Sequence, residues 1–123
     1  MNNSYYKGLY REDGLKGPNS GWLVGRFKDE PPLKNDAVEI KYWEYQTGPA
    51  EHDTKVSSII ECTFILKGVV EGMINGDTLT LREGDYIVIE PGTPNNLVIN
   101  VLEDVTGLTV KAPSDPNAKT VIE

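Results

Sequence analysis

The sequence predicts an all-β fold, an antiparallel sandwich or barrel, and three observations carry that expectation. Turn signals recur from Lys55 onward at intervals of roughly 8 to 12 residues, the rhythm of short antiparallel strands. Asn75-Gly76 joins two runs of β-formers, "VVEGMI" and "DTLTL", and both turn residues tolerate the positive φ that a tight hairpin requires. No window shows the apolar period of an amphipathic helix.

The elements follow in order. Residues 1–20 carry Gly, Asn and Tyr without any period, yet Tyr5, Tyr6, Tyr10 and Leu15 are too apolar for a free tail. They are read as an extended arm packed on the body or on a neighbouring subunit, and residues 21–123 as one barrel domain. "GWLVGRF" (21–27) reads as a strand. "DEPPLKND" (29–36) reads as a loop, because paired prolines donate nothing to a ladder. "AVEIKYWEY" (37–45) is a strand, "QTGPAEHDT" (46–54) a loop, and "KVSSIIECTFILKG" a long strand closed by Gly68. After the Asn75-Gly76 hairpin, Glu83-Gly84 turns the chain into "DYIVIE", and "PGTPNN" (91–96) turns it into "LVINVL". "EDVTG" (103–107) reads as a further turn into "LTVKA", with Pro113 and Pro116 ending the run.

Composition bounds the function. The 123 residues suffice for one core without covalent staples, and 38% apolar with 25% charged residues is ordinary for a globular domain. Nineteen acidic residues against 12 basic give a net charge of −7, with no Lys/Arg run, which disfavours a nucleic-acid partner and a polybasic membrane contact. Cys62, the one cysteine, has no internal disulfide partner, and no leader-like or 18-residue apolar stretch occurs, so a cytoplasmic protein is expected.

Two segments together resemble the cupin superfamily of small jelly-roll barrels. "ECTFILKG" (61–68) is similar to that family's strand end, Glu-x-x-x-Val-Leu-x-Gly, and "GDYIVIEPGTPNN" (84–96) to its Gly-Asp…Pro-Gly-x-Pro-His segment. The resemblance, which covers about residues 37–113, implies a double-stranded β-helix whose mouth holds a ligand or a metal. In metal-binding cupins two histidines, a glutamate and a final histidine hold the ion. Here the first two positions fall on Lys55 and Ser57, or on Thr54 and Val56, and the last on Asn95; only Glu61 remains. One carboxylate and one neutral amide do not hold a transition metal against water, so neither a metal nor another cofactor is expected.

A carboxylate inside a barrel needs a partner. Lys55 lies six residues upstream, on the same face of a continuous strand but about 20 Å away, so pairing requires that the strand bend strongly. Lys41 and Lys111 are the other candidates. The expected ligand site is therefore Glu61, Asn95 and Lys55, with Arg26 and Lys41 assisting, around a small polar or anionic molecule: a sugar, a nucleotide-like metabolite or an organic acid. Each residue also has a plainer reading: Arg26 as an exposed strand arginine, Asn95 and Asn96 as caps of their own turn, and Trp43, Tyr42 and Tyr45 as packing. Cys62 alternates away from Glu61 and reads as a structural thiol. A binding protein that senses or sequesters its ligand, as a homodimer by what the resemblance implies, is the leading expectation, with no catalytic group assigned. A metal-free sugar epimerase or isomerase of cupin type is the alternative; it would depend on His52 with Glu51 or Asp53 beside it. A filled barrel serving only assembly is the third.

Overall fold

The computed structural model describes residues 4–16, 21–115 and 117–121. Its strands, in chain order, are β1 (Trp22–Val24), β2 (Glu39–Tyr45), β3 (Gly48–Pro49), β4 (Lys55–Ser57), β5 (Ile60–Ile74), β6 (Asp77–Arg82), β7 (Tyr86–Ile89), β8 (Asn95–Ala112) and β9 (Lys119–Val121). All pair antiparallel in one curled sheet.

Two long strands organise it. β5 and β8 run antiparallel from Ile60 opposite Ala112 to Ile74 opposite Asn95, and four shifts of register coil the ribbon into a double-stranded β-helix. On its flanks β5 carries β6 and β7, while β8 carries β2, β3 and β4. Alternation then decides what faces inward. Along β5, Glu61, Thr63 and Ile65 are buried, whereas Ile60 and Phe64 face out. Along β2, Lys41, Trp43 and Tyr45 share the inner face with Glu39, and Tyr42 lies on the outer one.

The apolar core fills one half of the barrel. Ile65, Val70, Leu81, Val98, Val101 and Val105 pack together, closed by the Trp43 ring. Gly107 sits directly beneath that ring: a Cβ there would stand 2.2 Å from Trp43 Cζ2, so only glycine admits the indole.

The structure departs from the sequence expectation at several places, among them the expected loop 46–54, where Gly48–Pro49 pair with β8 as β3. Residues 103–107 form no turn; β8 passes through them extended, because β2 and β5 hydrogen-bond it on both sides. Gly68 does not end its strand: at φ +88 it bends β5, which continues to Ile74. The long strand expected from Lys55 instead breaks at Ser58 and Ile59, separating β4 from β5. Beyond Pro113 the chain returns as β9, which pairs with β4.

The arm is not wholly extended. Its residues Tyr10–Gly14 form a short helix, α1, closed by i→i+4 bonds from Asp13 to Leu9 (2.9 Å) and from Leu15 to Arg11 (3.2 Å). It lies on the outer face of β2, where Tyr10 packs on Tyr42 at 5.3 Å and Arg11 Nε reaches Glu44 Oε2 at 2.6 Å. Residues 1–3 and 17–20 of the expected arm lie outside the described residues. Among the described residues, no helix is long and apolar enough to cross a membrane.

Candidate functional site: a lysine-lined mouth

The end of the barrel away from the core opens into a cavity of about 390 Å³, whose floor is Trp43, Val98 and Thr109. That volume suits a small metabolite. Its walls are charged. Lys41, Lys55, Lys111 and Lys119 converge on it with Glu61, while Glu51, His52 and Asp53 stand at the rim.

Sheet register explains the first pair. Lys111 on β8 lies directly across from Glu61 on β5, with Glu39 of β2 on its other side. Lys111 Nζ stands 3.5 Å from Glu61 Oε1. Lys55 reaches the same oxygen at 3.3 Å from β4, which the bend at Ser58 and Ile59 carries across to pair with β8 and β9. The strong bend that the pairing required is thus present as a break between two strands. Glu61 is 2% exposed, and its second oxygen, Oε2, has no partner among the described residues.

Next to this row lies one with a single charged residue. Lys41 and Thr63 flank Thr109 on the neighbouring strands. Trp43 Nε1 donates to Thr109 Oγ1 at 3.0 Å, and the Thr109 and Thr63 hydroxyls share a hydrogen bond of 2.9 Å. Lys41 itself lies over the Trp22 ring, its Nζ 5.5 Å from the centroid. Charge crowding shows in the amines. Burial foremost, then the positive charge of Lys55, pushes Lys111 below the ordinary lysine range, against the pull of Glu61 and Glu39. Burial, then Lys119 and Lys55, does the same to Lys41. Burial also raises the Tyr45 phenol, which lines the wall below His52 and meets its ring edge-on at 4.9 Å.

Of the residues expected at the site, Glu61, Lys55 and Lys41 line the cavity, and Arg26 and Asn95 do not. Arg26 follows the end of β1, half exposed, and its Nε pairs with Asp36 at 3.1 Å; the short strand leaves it on the surface. Asn95 is buried beside the cavity, where Nδ2 donates to the Thr93 carbonyl at 3.1 Å and caps the turn, while Oδ1 lacks a partner among the described residues. Its neighbour Asn96 lines the mouth instead and pins the rim loop, donating to the His52 carbonyl at 2.7 Å. Lys119 had no sequence signal, because β9 follows two prolines that read as the end of the fold.

The donor set does not fit a transition metal. Glu61 Oε1 already faces two ammonium groups, and a cation placed beside it would meet four lysines. No group of three or more His, Cys, Asp or Glu side chains is poised for an ion among the described residues. Lys55, at one of the positions that the resemblance gives to a metal-binding histidine, supplies positive charge to the glutamate on a covalent tether.

A double-stranded β-helix with a ligand-sized cavity at its mouth defines a cupin. Residues 34–112 match the family model of the EutQ-like cupin domain, and the chain belongs to that family. Among solved structures it is similar to oxalate decarboxylase from Bacillus subtilis, with a TM-score of 0.60 and 15% identity over 71% of this chain and 24% of that one. Salicylate 1,2-dioxygenase from Pseudaminobacter salicylatoxidans gives a TM-score of 0.58 at 16% identity, over 65% of this chain and 22% of that one. A conserved protein of unknown function from Streptococcus pyogenes gives 0.58 at 24% identity, covering 68% and 70%. The chain thus spans about a fifth to a quarter of the two enzymes, and at these identities the likeness shows the fold alone. No curated protein matches the sequence.

Proposed function

We propose that this protein is a metal-independent binding module whose barrel mouth takes a small anion, an organic acid or a phosphorylated metabolite. One observation carries the reading: in a chain of net charge −7, four lysines converge on a cavity whose walls hold a single buried carboxylate. Glu61 neutralises about one of them, and the partial burial of Lys41, Lys55 and Lys111 strengthens their attraction for an anion, while Lys119 is exposed. The rim acids Glu51 and Asp53 are exposed and screened by solvent, so they weigh less. The open cavity speaks against a filled barrel that serves only assembly. Calorimetric titration with citrate, inorganic phosphate and a neutral hexose tests this. Citrate or phosphate should bind, more weakly at high salt, and Lys55→Met should weaken binding about tenfold, or about 1.4 kcal/mol. Binding of the hexose alone would refute the anionic reading.

A metal-free epimerase is the second reading, favoured by one specific contact: His52, the histidine such chemistry needs, meets the Tyr45 ring at the rim of the same cavity. A loss of about a hundredfold in any sugar-isomerising activity on His52→Ala would support it; retained activity would remove it.

We also propose a cytoplasmic location, supported by the unpaired thiol of Cys62, and a homodimer. The dimer is supported by the outer face of β5 and β7, where Ile60, Phe64, Tyr86 and Val88 are all exposed and Phe64 stacks on Tyr86 at 5.9 Å. Sedimentation should find two copies per particle, and Phe64→Lys with Tyr86→Lys should give monomers.

A further inference from the structure

The four lysines of the mouth are not equivalent. Lys55 and Lys111 both address Glu61 Oε1, at 3.3 and 3.5 Å, yet one ammonium is enough to neutralise one carboxylate. Of the two, Lys111 is the more enclosed, with a side chain 12% exposed against 22% for Lys55. It projects from the middle of the sheet between Glu39 and Glu61, and it lines the cavity. Lys41 and Lys119 line the same cavity and do not pair with Glu61. An amine with little water around it, a second cation beside it and a carboxylate in reach is in the setting that turns lysine into a nucleophile.

We propose that Lys111 condenses reversibly with the carbonyl carbon of a small oxo acid, whose carboxylate is held by Lys41 and Lys119. The inference rests on the anion-binding reading above and narrows its ligand class. Burial and Lys55, which lower the Lys111 amine, raise the fraction that carries a free lone pair at neutral pH.

The step balances without any co-reactant. The Nζ lone pair forms a bond to the carbonyl carbon as the C=O π pair moves onto oxygen. Glu61 Oε1, paired with Lys55, accepts a proton from the nitrogen and returns it to that oxygen. With a second proton from solvent the oxygen leaves as water, the nitrogen lone pair closes the C=N bond, and an iminium forms beside the Glu61 carboxylate. Loss of one proton to solvent gives the neutral imine. Amine and ketone thus become imine and water, and no electrons are gained or lost.

Pyruvate and sodium cyanoborohydride test this on the native protein. Reduction traps the imine as a stable secondary amine, and peptide mass spectrometry locates it. Lys111 should be labelled faster than the exposed Lys7, Lys34 and Lys67, since the cavity gathers the oxo acid beside its enclosed amine. Sulfate, an anion without a carbonyl, should protect Lys111 and leave the surface lysines unaffected. Lys111→Arg should lose the fast adduct, with a thermal melt as the check that it folds. Calorimetry without reductant separates the two failures. If pyruvate or sulfate binds and Lys111 is labelled no faster than Lys7, the imine is refuted and the anion site stands. If neither anion binds, the anion reading fails and the imine fails with it.

Discussion

The two halves of this barrel are lined by the same pair of strands and have opposite interiors. Toward the closed end, the inner faces of β5 and β8 present Ile65, Val70, Val98, Val101 and Val105. Toward the mouth they present Glu61, Thr63, Thr109 and Lys111. The backbone is indifferent to the change, because the ladder satisfies its N–H and C=O groups in both halves. The side chains are not. Burial of the valines and isoleucine stabilises the fold, whereas burial of Glu61 with its lysines costs desolvation that ion pairing offsets only in part. The contrast teaches that the apolar half sustains a charged half, whose residues are placed for a ligand rather than for stability.

The largest effect that would break this comparison is expected at Glu61. Glu61→Gln leaves the lysines of the mouth without their carboxylate, and should destabilise the protein by about 3 kcal/mol. Saturating citrate or phosphate should recover much of that loss, since it supplies the missing negative charge. Urea unfolding with and without citrate measures both; a variant as stable as the native protein would show the mouth to be well solvated. In the other half, Val101→Ala should cost about 2 kcal/mol by leaving a void, with no extra rescue by citrate beyond that of the native protein. An anion-specific rescue there would erase the distinction between the halves.

A smaller effect concerns pH. Burial, then Lys55, holds Lys111 below its ordinary 10.5, and burial, then Lys119, does the same for Lys41. In that window the unfolded chain binds protons that the folded chain does not, so stability should rise with pH from the lowered values toward 10.5 and fall as pH is lowered. Tyr42 acts in the opposite sense above 10.0: pushed up to about 12 by burial and by its hydrogen bond to Glu44, it keeps its proton when folded. Urea midpoints should therefore climb as pH rises toward 10.5, and Lys41→Met with Lys111→Met should flatten the slope. A flat profile in the native protein would mean that the lysines are solvated. The smallest effects sharpen the boundary of the site. Asn95→Leu should lower the melting temperature while affinity per folded molecule stays the same, because its amide caps the Thr93 turn. Arg26→Ala should change neither, since its partner Asp36 is exposed. A loss of affinity in either variant would extend the site beyond the cavity wall.

Much of the fold was legible in the sequence because turns are local. Asn75 and Gly76, at φ 50 and 86, make the hairpin that their identity announces, and Gly84 and Gly92 turn with positive φ where their runs end. "EDVTG" misled for the complementary reason: its Gly107 serves the Trp43 ring, a residue far away in sequence, and not a turn. At the site, the resemblance of "ECTFILKG" to the cupin strand end put Glu61 inside, whereas strict alternation would have buried Ile60 and Phe64, which are exposed. It said nothing of Arg26, whose orientation depends on where a three-residue strand ends.

By itself, then, the sequence determined that the chain is an antiparallel barrel, that Glu61 points inward and that the histidines of a metal-binding cupin are missing. Turn chemistry and the spacing of a family motif are both read over a few residues, so they survive without any tertiary context. Only the tertiary structure decided which cations meet that carboxylate. Lys111 lies opposite Glu61 through the register of β8, Lys55 through a break that alternation across "KVSSII" does not signal, and Lys119 enters the mouth on a strand beyond two prolines. Convergence of like charges is a property of how distant segments pack, and it is there that an acidic chain acquires a basic pocket.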